Sequence, residues 1–347
     1  LRLGVFAIQN PPPKTLHFLS PLTIAHRPFL NMKKSLLALL ALSLALSTAA
    51  FAADAITLAV IPKGTTHPFW KTVEAGARKA AEEDGVQINW RGPLSENDRA
   101  QQIAVVQQFV GSKVSGIVLA PLDATALVTP VRNANNAGIP VVIMDSSLKG
   151  EAGKEFVSFV ATDNRKGGEL GGEELARLLD GKGKVVLLRY IEGSASTNDR
   201  EEGFLSVMKK FPGIEVTVSN RYAGPSISTA QDASLNLIDK IREADGIFCP
   251  NDPSTQGMLL ALRQNGLAGK KKFIGFDSSD RLLAALKHGD INAIVAQNPY
   301  KMGYLAVKTV VAAIRGEKFE QRVDTGCELV TKDNLDTPAV QAILGGK

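Results

Sequence analysis

The chain has 347 residues, 44% of them hydrophobic and 22% charged, which supplies apolar material for two lobes of ordinary domain size and excludes a disordered or fibrous chain. Its formal net charge of +5 does not point to nucleic acid or an anionic membrane, because Arg2, Lys14, Arg27, Lys33 and Lys34 all fall within residues 1–52, which contain no acid. Beyond residue 52 the only histidines are His67 and His288, far from the two cysteines, Cys249 and Cys327, so no metal-ligand spacing occurs and no metal or other cofactor is expected.

Residues 1–31 contain no Met, include Pro11-Pro12-Pro13 and show no sustained periodicity; they read as translated upstream sequence, with a genuine long leader as the alternative. Met32-Lys33-Lys34, the uncharged 11-residue run Leu36 to Leu46 and Ala50-Phe51-Ala52 form the basic, apolar and cleavage regions of a secretory signal over 32–52. The run is too short to span a bilayer, and no Cys follows the cleavage site to carry a lipid, so the expected product starts near Ala53 and is exported and free in solution.

From there, short apolar runs predict strands buried on both faces: Ile56 to Ile61, Ile117 to Ala120, Val141 to Met144, Val185 to Arg189, Ile247 to Cys249, Phe273 to Phe276 and Ile294 to Ala296. Between them Trp70, Val73, Ala77 and Ala80 recur at helical spacing, as do Ile103, Val106 and Val110, with Asn97 or Asp98 and Ser254 as N-caps. Gly138, before Ile139-Pro140, ends one helix and opens the next strand. Strand and helix alternating in this way mean an α/β fold with a doubly wound parallel sheet.

The pattern occurs twice. Gly116 to Asp123 is echoed by Gly246 to Asp252, and Val142 to Ser147 by Ile274 to Ser279, an offset of about 130 residues that implies two lobes of the same topology. In each repeat an Asp, Asp145 or Asp277, closes a buried strand at the carboxyl edge, where open α/β sheets bind ligands. A facing pair of such carboxylates can accept hydrogen bonds from several hydroxyls of a polyol; the competing reading is that each caps a helix. His67-Pro68-Phe69-Trp70 opens a helix at Pro68, and its adjacent aromatics cannot both enter one core stripe, so at least one is free to cover the apolar face of a sugar ring.

Two glycine-rich runs imitate nucleotide sites. Gly167-Gly168-Glu169-Leu170-Gly171-Gly172 falls in a predicted helix without a strand before it, and Gly181-Lys182-Gly183-Lys184 continues into Val185 where a phosphate loop needs Ser or Thr, so both read as packing and turn glycines. No G-x-S-x-G elbow occurs and neither His sits in a triad context. Two carboxylates could flank a glycosidic bond, but their symmetric placement lacks the acid/base asymmetry that hydrolysis needs, so no enzyme activity is expected. Cys249 and Cys327 are left as either a disulfide or two free thiols.

These residues in this order resemble the periplasmic sugar-binding proteins of the ribose/galactose/arabinose group, over essentially Ile56 to Val330. The resemblance rests on Pro68-Phe69-Trp70, Val142 to Asp145, Ala161 to Asn164 with Gly167-Gly168, Arg200 with Gly203-Phe204, Asn251-Asp252, Gly275 to Asp277, and Ala296-Gln297. It implies two similar lobes of the type I periplasmic binding fold, residues 53–162 with 298–326 and residues 163–297 with 327–347, joined by three crossings and closing on one sugar. Carried onto matching positions, it implies that Phe69 and Trp70 stack on the ring, that Asp145, Arg200, Asn251, Asp277 and Gln297 bond its hydroxyls, that Tyr222 adds a wall, and that Lys63 contacts the sugar. For Arg200 the competing reading is a surface ion pair with Asp199 or Glu201. His67 stands where the ribose branch has Asn, and Ser146 follows Asp145 where that branch has Arg, which opens the pocket to another pentose, a hexose or a polyol.

The implied role is a monomeric periplasmic component that hands a monosaccharide or polyol to the membrane permease of an ABC importer, served by a cytoplasmic ATPase. A sensor presenting its closed form to a chemoreceptor or sensor kinase, and less plausibly a secreted carbohydrate-active enzyme, are the alternatives. A repressor is excluded by the export signal and the lack of a helix-turn-helix.

Overall fold

The computed structural model describes residues 55–345; the segments read above as upstream extension and export signal lie outside the described residues. Two sheets form, each of six strands. The first runs in the order β11 (Arg322–Asp324), β5 (Ser158–Ala161), β4 (Val141–Met144), β3 (Gly116–Leu119), β1 (Thr57–Ile61), β2 (Gln87–Trp90). The second runs β12 (Cys327–Thr331), β10 (Ala293–Gln297), β9 (Lys272–Phe276), β8 (Gly246–Phe248), β6 (Lys182–Arg189), β7 (Gly213–Tyr222). The two orders superpose strand for strand, and the repeated sequences noted above occupy equivalent places, β3 with β8 and β4 with β9. All pairings are parallel except β10 with β12, which is antiparallel.

The central strands read as unbroken apolar runs because both faces are covered. In β4, Val141 and Ile143 face one core layer while Val142 and Met144 face the other, and β1 divides the same way between Ala59 with Ile61 and Leu58 with Val60. Edge strands lack that signature: β2 alternates exposed and half-buried residues, and the exposed end of β7 is polar, so periodicity alone passes over them.

The helix Pro68–Asp84 buries Trp70, Val73, Ala77 and Ala80 as its spacing requires. The helix Arg99–Gly111 departs from expectation by a small rotation: Gln102, Val105, Val106 and Phe109 are buried, while Ile103 and Val110 are only partly so. Gln102 explains the shift, since its amide donates to the carbonyls of Pro62 (3.1 Å) and Ala120 (2.8 Å) and accepts from the Leu122 N–H (2.8 Å). A polar side chain that saturates three loop backbone groups is favoured inside over an isoleucine that would leave them unpaired. Asp98 caps this helix, accepting from the Gln101 N–H. Ser254, read as a cap, is instead the third residue of the helix Asp252–Gln264; Asn251 is the cap, and the two side chains bond reciprocally in a capping box.

Each lobe contains a helix pair that meets glycine to glycine. An added Cβ on Gly76 would lie 2.0 Å from the Tyr300 carbonyl oxygen, and one on Gly303 2.0 Å from that of Val73, across the helices Pro68–Asp84 and Pro299–Arg315. In the other lobe Gly168 would meet the Arg200 carbonyl oxygen at 1.9 Å and Gly203 that of Arg165 at 2.1 Å, across Asn164–Leu178 and Ala195–Met208. The glycine run 167–172 is therefore a packing face of a helix, not a dinucleotide-binding loop. Gly168→Ala is expected to cost about 2 kcal/mol of stability by forcing the helices apart, read as a lower urea midpoint. An unchanged midpoint would show that the pair can separate freely.

The chain crosses between sheets after β5, after β10 and between β11 and β12. At the first two crossings Asp163 and Asn298 cap the helices that enter the next lobe, accepting from the N–H groups of Lys166 and Lys301. The Thr162 hydroxyl donates to Gln297 Oε1 at 2.9 Å and lies 3.4 Å from the Thr325 hydroxyl, which ties the three crossings side by side. Cys249 and Cys327 are both free.

Candidate functional site

The carboxyl edges of the two sheets face one cavity. Asp145 and Asp277 follow β4 and β9 directly, and both hold a left-handed backbone, φ 61° and 72°, a conformation that Asp tolerates better than most residues. In each case the backbone N–H continues the ladder, to the carbonyl of Val160 (3.1 Å) or of Val295 (2.8 Å), so the turn begins only beyond that bond and aims the carboxylate into the cleft.

On one side, Asp145 pairs with Lys63 at 3.0 Å, both nearly inaccessible. The same ammonium reaches the hydroxyls of Ser196 (2.9 Å) and Ser194 (3.3 Å) on the opposite lobe. On the other side, Asp277 accepts from Gln297 Nε2 (2.6 Å) and from the Asp252 N–H (2.7 Å), so it caps a neighbouring helix while facing the cavity. Burial lifts its carboxyl to about 6; the neighbouring Asp252 carboxylate adds to the rise, and the Arg200 charge and the bonds from Gln297 and Asp252 oppose it. Asp252 is raised as well, mainly by burial, against hydrogen bonds from Ser279 and Gln256.

Arg200 is buried, which rules out a surface ion pair; Glu201 bonds Arg189 instead. The Arg200 guanidinium donates to Asn164 Oδ1 (2.8 Å) and the Pro250 carbonyl (3.0 Å) and stacks 4.0 Å from the Phe276 ring centroid. Planar stacking with bonds at its edge holds the fork in one orientation. Asn251 spends its side-chain oxygen on the helix cap, and its amide bonds the Tyr190 hydroxyl.

Phe69 and Trp70 meet edge to face, centroids 5.0 Å apart. Trp70 belongs to the core stripe and still lines the cavity, whereas Phe69 is half-buried at its edge. His67 lines the cavity beside them, with Nε2 3.1 Å from the Pro225 carbonyl of the other lobe; a carbonyl only accepts, so this nitrogen carries the proton.

Two expected residues are placed elsewhere. The Ser146 hydroxyl accepts from the Ser196 N–H across the cleft at 3.0 Å and does not line the cavity. Tyr222, expected as a wall, is 41% exposed at the end of edge strand β7 with its ring 5.2 Å from the Arg189 guanidinium, and it does not line the cavity. Tyr190, directly after β6, is the tyrosine that lines the cavity from this lobe. Glu96, Tyr190, Ser196, Thr197 and Asp252 also line the cavity and escaped the sequence reading. Tyr190 could have been found from its place directly after a strand and Asp252 from its place beside the helix cap Asn251, but Glu96 sits in an irregular loop with no pattern to mark it.

A cleft between two doubly wound lobes, with strand-end carboxylates facing each other across it, is the architecture of a type I periplasmic binding protein. The chain belongs to the family of periplasmic binding protein domains, whose model matches residues 58–318, and within it to the ribose-binding group. It is 31% identical to the ribose import binding protein of Haemophilus influenzae over 84% of this chain and 96% of that one. Among solved structures it resembles a carbohydrate transporter solute-binding protein of Agrobacterium radiobacter in complex with D-arabinose, at 36% identity, TM-score 0.80 and coverage of 84% and 99% of the two chains. A solute-binding protein of Agrobacterium vitis with bound D-fucose matches at 35% identity and TM-score 0.80, covering 83% and 99%.

Proposed function

We propose that this protein captures one neutral monosaccharide or polyol in the periplasm and delivers it unmodified to the permease of an ABC importer. The observation that supports this most directly is the equivalent placement of Asp145 and Asp277 at left-handed strand ends facing one cavity, with Phe69 and Trp70 beside them. Lys63, His67, Arg200, Asn251 and Gln297 complete a ring of polar groups suited to hydroxyls, and the aromatic faces suit the C–H side of a sugar ring. The cavity of about 40 Å³ holds little more than a water, so the lobes must part to admit a ring. Relatives named as transport components support binding without turnover.

Charge narrows the ligand class. The cavity is lined by four carboxyl groups, Glu96, Asp145, Asp252 and Asp277, against two basic side chains, Lys63 and Arg200. An acid surplus in a closed cleft favours hydroxyl donors and repels anions. A hexuronate is expected to bind at least ~100-fold more weakly than its parent hexose, each buried like-charge contact costing several kcal/mol.

The deciding experiment is a thermal-shift panel on residues 53–347 after stripping carried ligand by unfolding and refolding, with D-arabinose, D-fucose and ribose first, then hexoses, polyols, uronates and amino acids. A ligand at 100 times its Kd adds about 2.7 kcal/mol, a visible shift. Silence across all neutral sugars, or a response to amino acids, would overturn the substrate class.

A further inference from the structure

Glu96 lies in the loop between β2 and the helix Arg99–Gly111, 7% exposed, and joins the two lobes through side chains that belong to neither strand-end carboxylate. Its Oε1 accepts from the Trp70 indole N–H at 2.7 Å and its Oε2 from the Tyr190 hydroxyl at 3.0 Å. Trp70 stands on the same lobe as Glu96, whereas Tyr190 stands on the other. The glycine at 64 makes room for this arrangement, since a Cβ there would come within 2.8 Å of Glu96 Cγ. Tyr190 is clamped from behind, its backbone N–H donating at 3.0 Å to the Glu201 carboxylate, which Arg189 also holds. Its hydroxyl has a longer contact, 3.4 Å, to the Pro225 carbonyl within its own lobe. Burial and the Glu96 carboxylate push the phenol upward, so the hydroxyl stays a neutral donor.

We propose that Glu96 is a positioning residue for ligand capture: one carboxylate fixes the Trp70 ring plane and, through Tyr190 on the opposite lobe, latches the closed cleft and slows release. The latch rests on the reading of the cleft as a sugar site. It exists only when the lobes meet, so opening must break it while encounter with the open cleft does not involve it, and its loss falls on the dissociation rate. A buried hydroxyl-to-carboxylate bond is among the stronger neutral-to-charged contacts, and breaking it corresponds to roughly tenfold or more in release.

Stopped-flow measurement of Trp fluorescence, with D-arabinose tried first and otherwise the tightest sugar of the panel, tests this. Tyr190→Phe is expected to speed release about tenfold with an unchanged association rate. Glu96→Gln is expected to release faster than wild type but slower than Glu96→Ala, because the amide oxygen still accepts from Trp70 while a weaker neutral bond from the amide N–H replaces the charge-assisted bond to Tyr190. Glu96→Ala is expected to speed release and to slow association as well, through a loosened Trp70. Wild-type release from Tyr190→Phe, or Glu96→Gln releasing as fast as Glu96→Ala, would overturn the latch while leaving sugar binding intact. A wild-type protein that binds no sugar would overturn the functional reading and the latch with it. Should Glu96→Ala fail to fold, the other two variants decide the matter, and a purely structural Glu96 would lower the ligand-free Tm without changing release.

Discussion

Replacing Asp277 by alanine is expected to raise the Kd for the bound sugar at least ~100-fold by isothermal titration, the equivalent of about 3 kcal/mol. Three losses coincide. The ligand loses a carboxylate acceptor, Gln297 Nε2 loses its partner at 2.6 Å, and the first N–H of the helix Asp252–Gln264 loses its cap at 2.7 Å. Alanine also tolerates the φ of 72° less well than aspartate. Asp277→Asn keeps the turn and an acceptor, so comparing the two variants separates charge from geometry. An affinity for Asp277→Ala within threefold of wild type would remove Asp277 from the site.

The same residue has a pH signature. Its carboxyl stands at about 6 in the folded protein against an ordinary 3.8, so the folded state holds a proton that the unfolded chain releases earlier. This stabilisation is complete below the ordinary value and is lost as pH rises through about 6. Asp123 and Asp290, whose carboxyls are lowered, act in the opposite sense and lose their contribution as pH falls. The difference between wild type and Asp277→Asn isolates the first effect: unfolding free energies of the ligand-free proteins should diverge between pH 4 and 6 by an amount on the order of 2 kcal/mol. Parallel curves would mean that Asp277 titrates normally.

Asp145→Ala is the second large effect, with an expected loss of about 3 kcal/mol in the ligand-free protein by denaturant unfolding, together with at least ~100-fold weaker binding. The cause is Lys63. Its ammonium is 3% exposed and would keep only the Ser194 and Ser196 hydroxyls, which cannot neutralise a buried charge. The double variant Lys63→Met/Asp145→Asn removes the charge and its partner together while keeping a residue that tolerates the φ of 61°, and is expected to recover most of the stability but none of the binding. If it bound sugar normally, the pair would be scaffold alone.

Most buried strands and the two-lobed repeat were legible because strands covered on both faces are largely apolar, and because β3 with β8 and β4 with β9 kept similar residues at their ends; β5, buried throughout but opening on Ser158, was passed over. Asp145 and Asp277 could be singled out because the repeat sets both at the same strand end, although a helix cap was the competing reading. The edge strands β2 and β7 were not legible, since one water-facing side leaves a mixed pattern that short segments cannot resolve. Gln102 misled the helical spacing because its burial depends on three backbone groups from distant loops, which no period in its own helix encodes.

Local sequence thus determined the fold class, the repeat and the residues at the strand ends, all of which follow from side-chain pattern over a few neighbours. Tertiary structure alone decided which tyrosine lines the cavity, Tyr190 and not Tyr222, and that Ser146 bonds the opposite lobe. It also decided that Glu96, 94 residues away from Tyr190 in the chain, meets it across the cleft. Those outcomes depend on how two separately folded lobes approach each other, and the contacts between lobes are set by three-dimensional proximity that leaves no periodic trace along the chain.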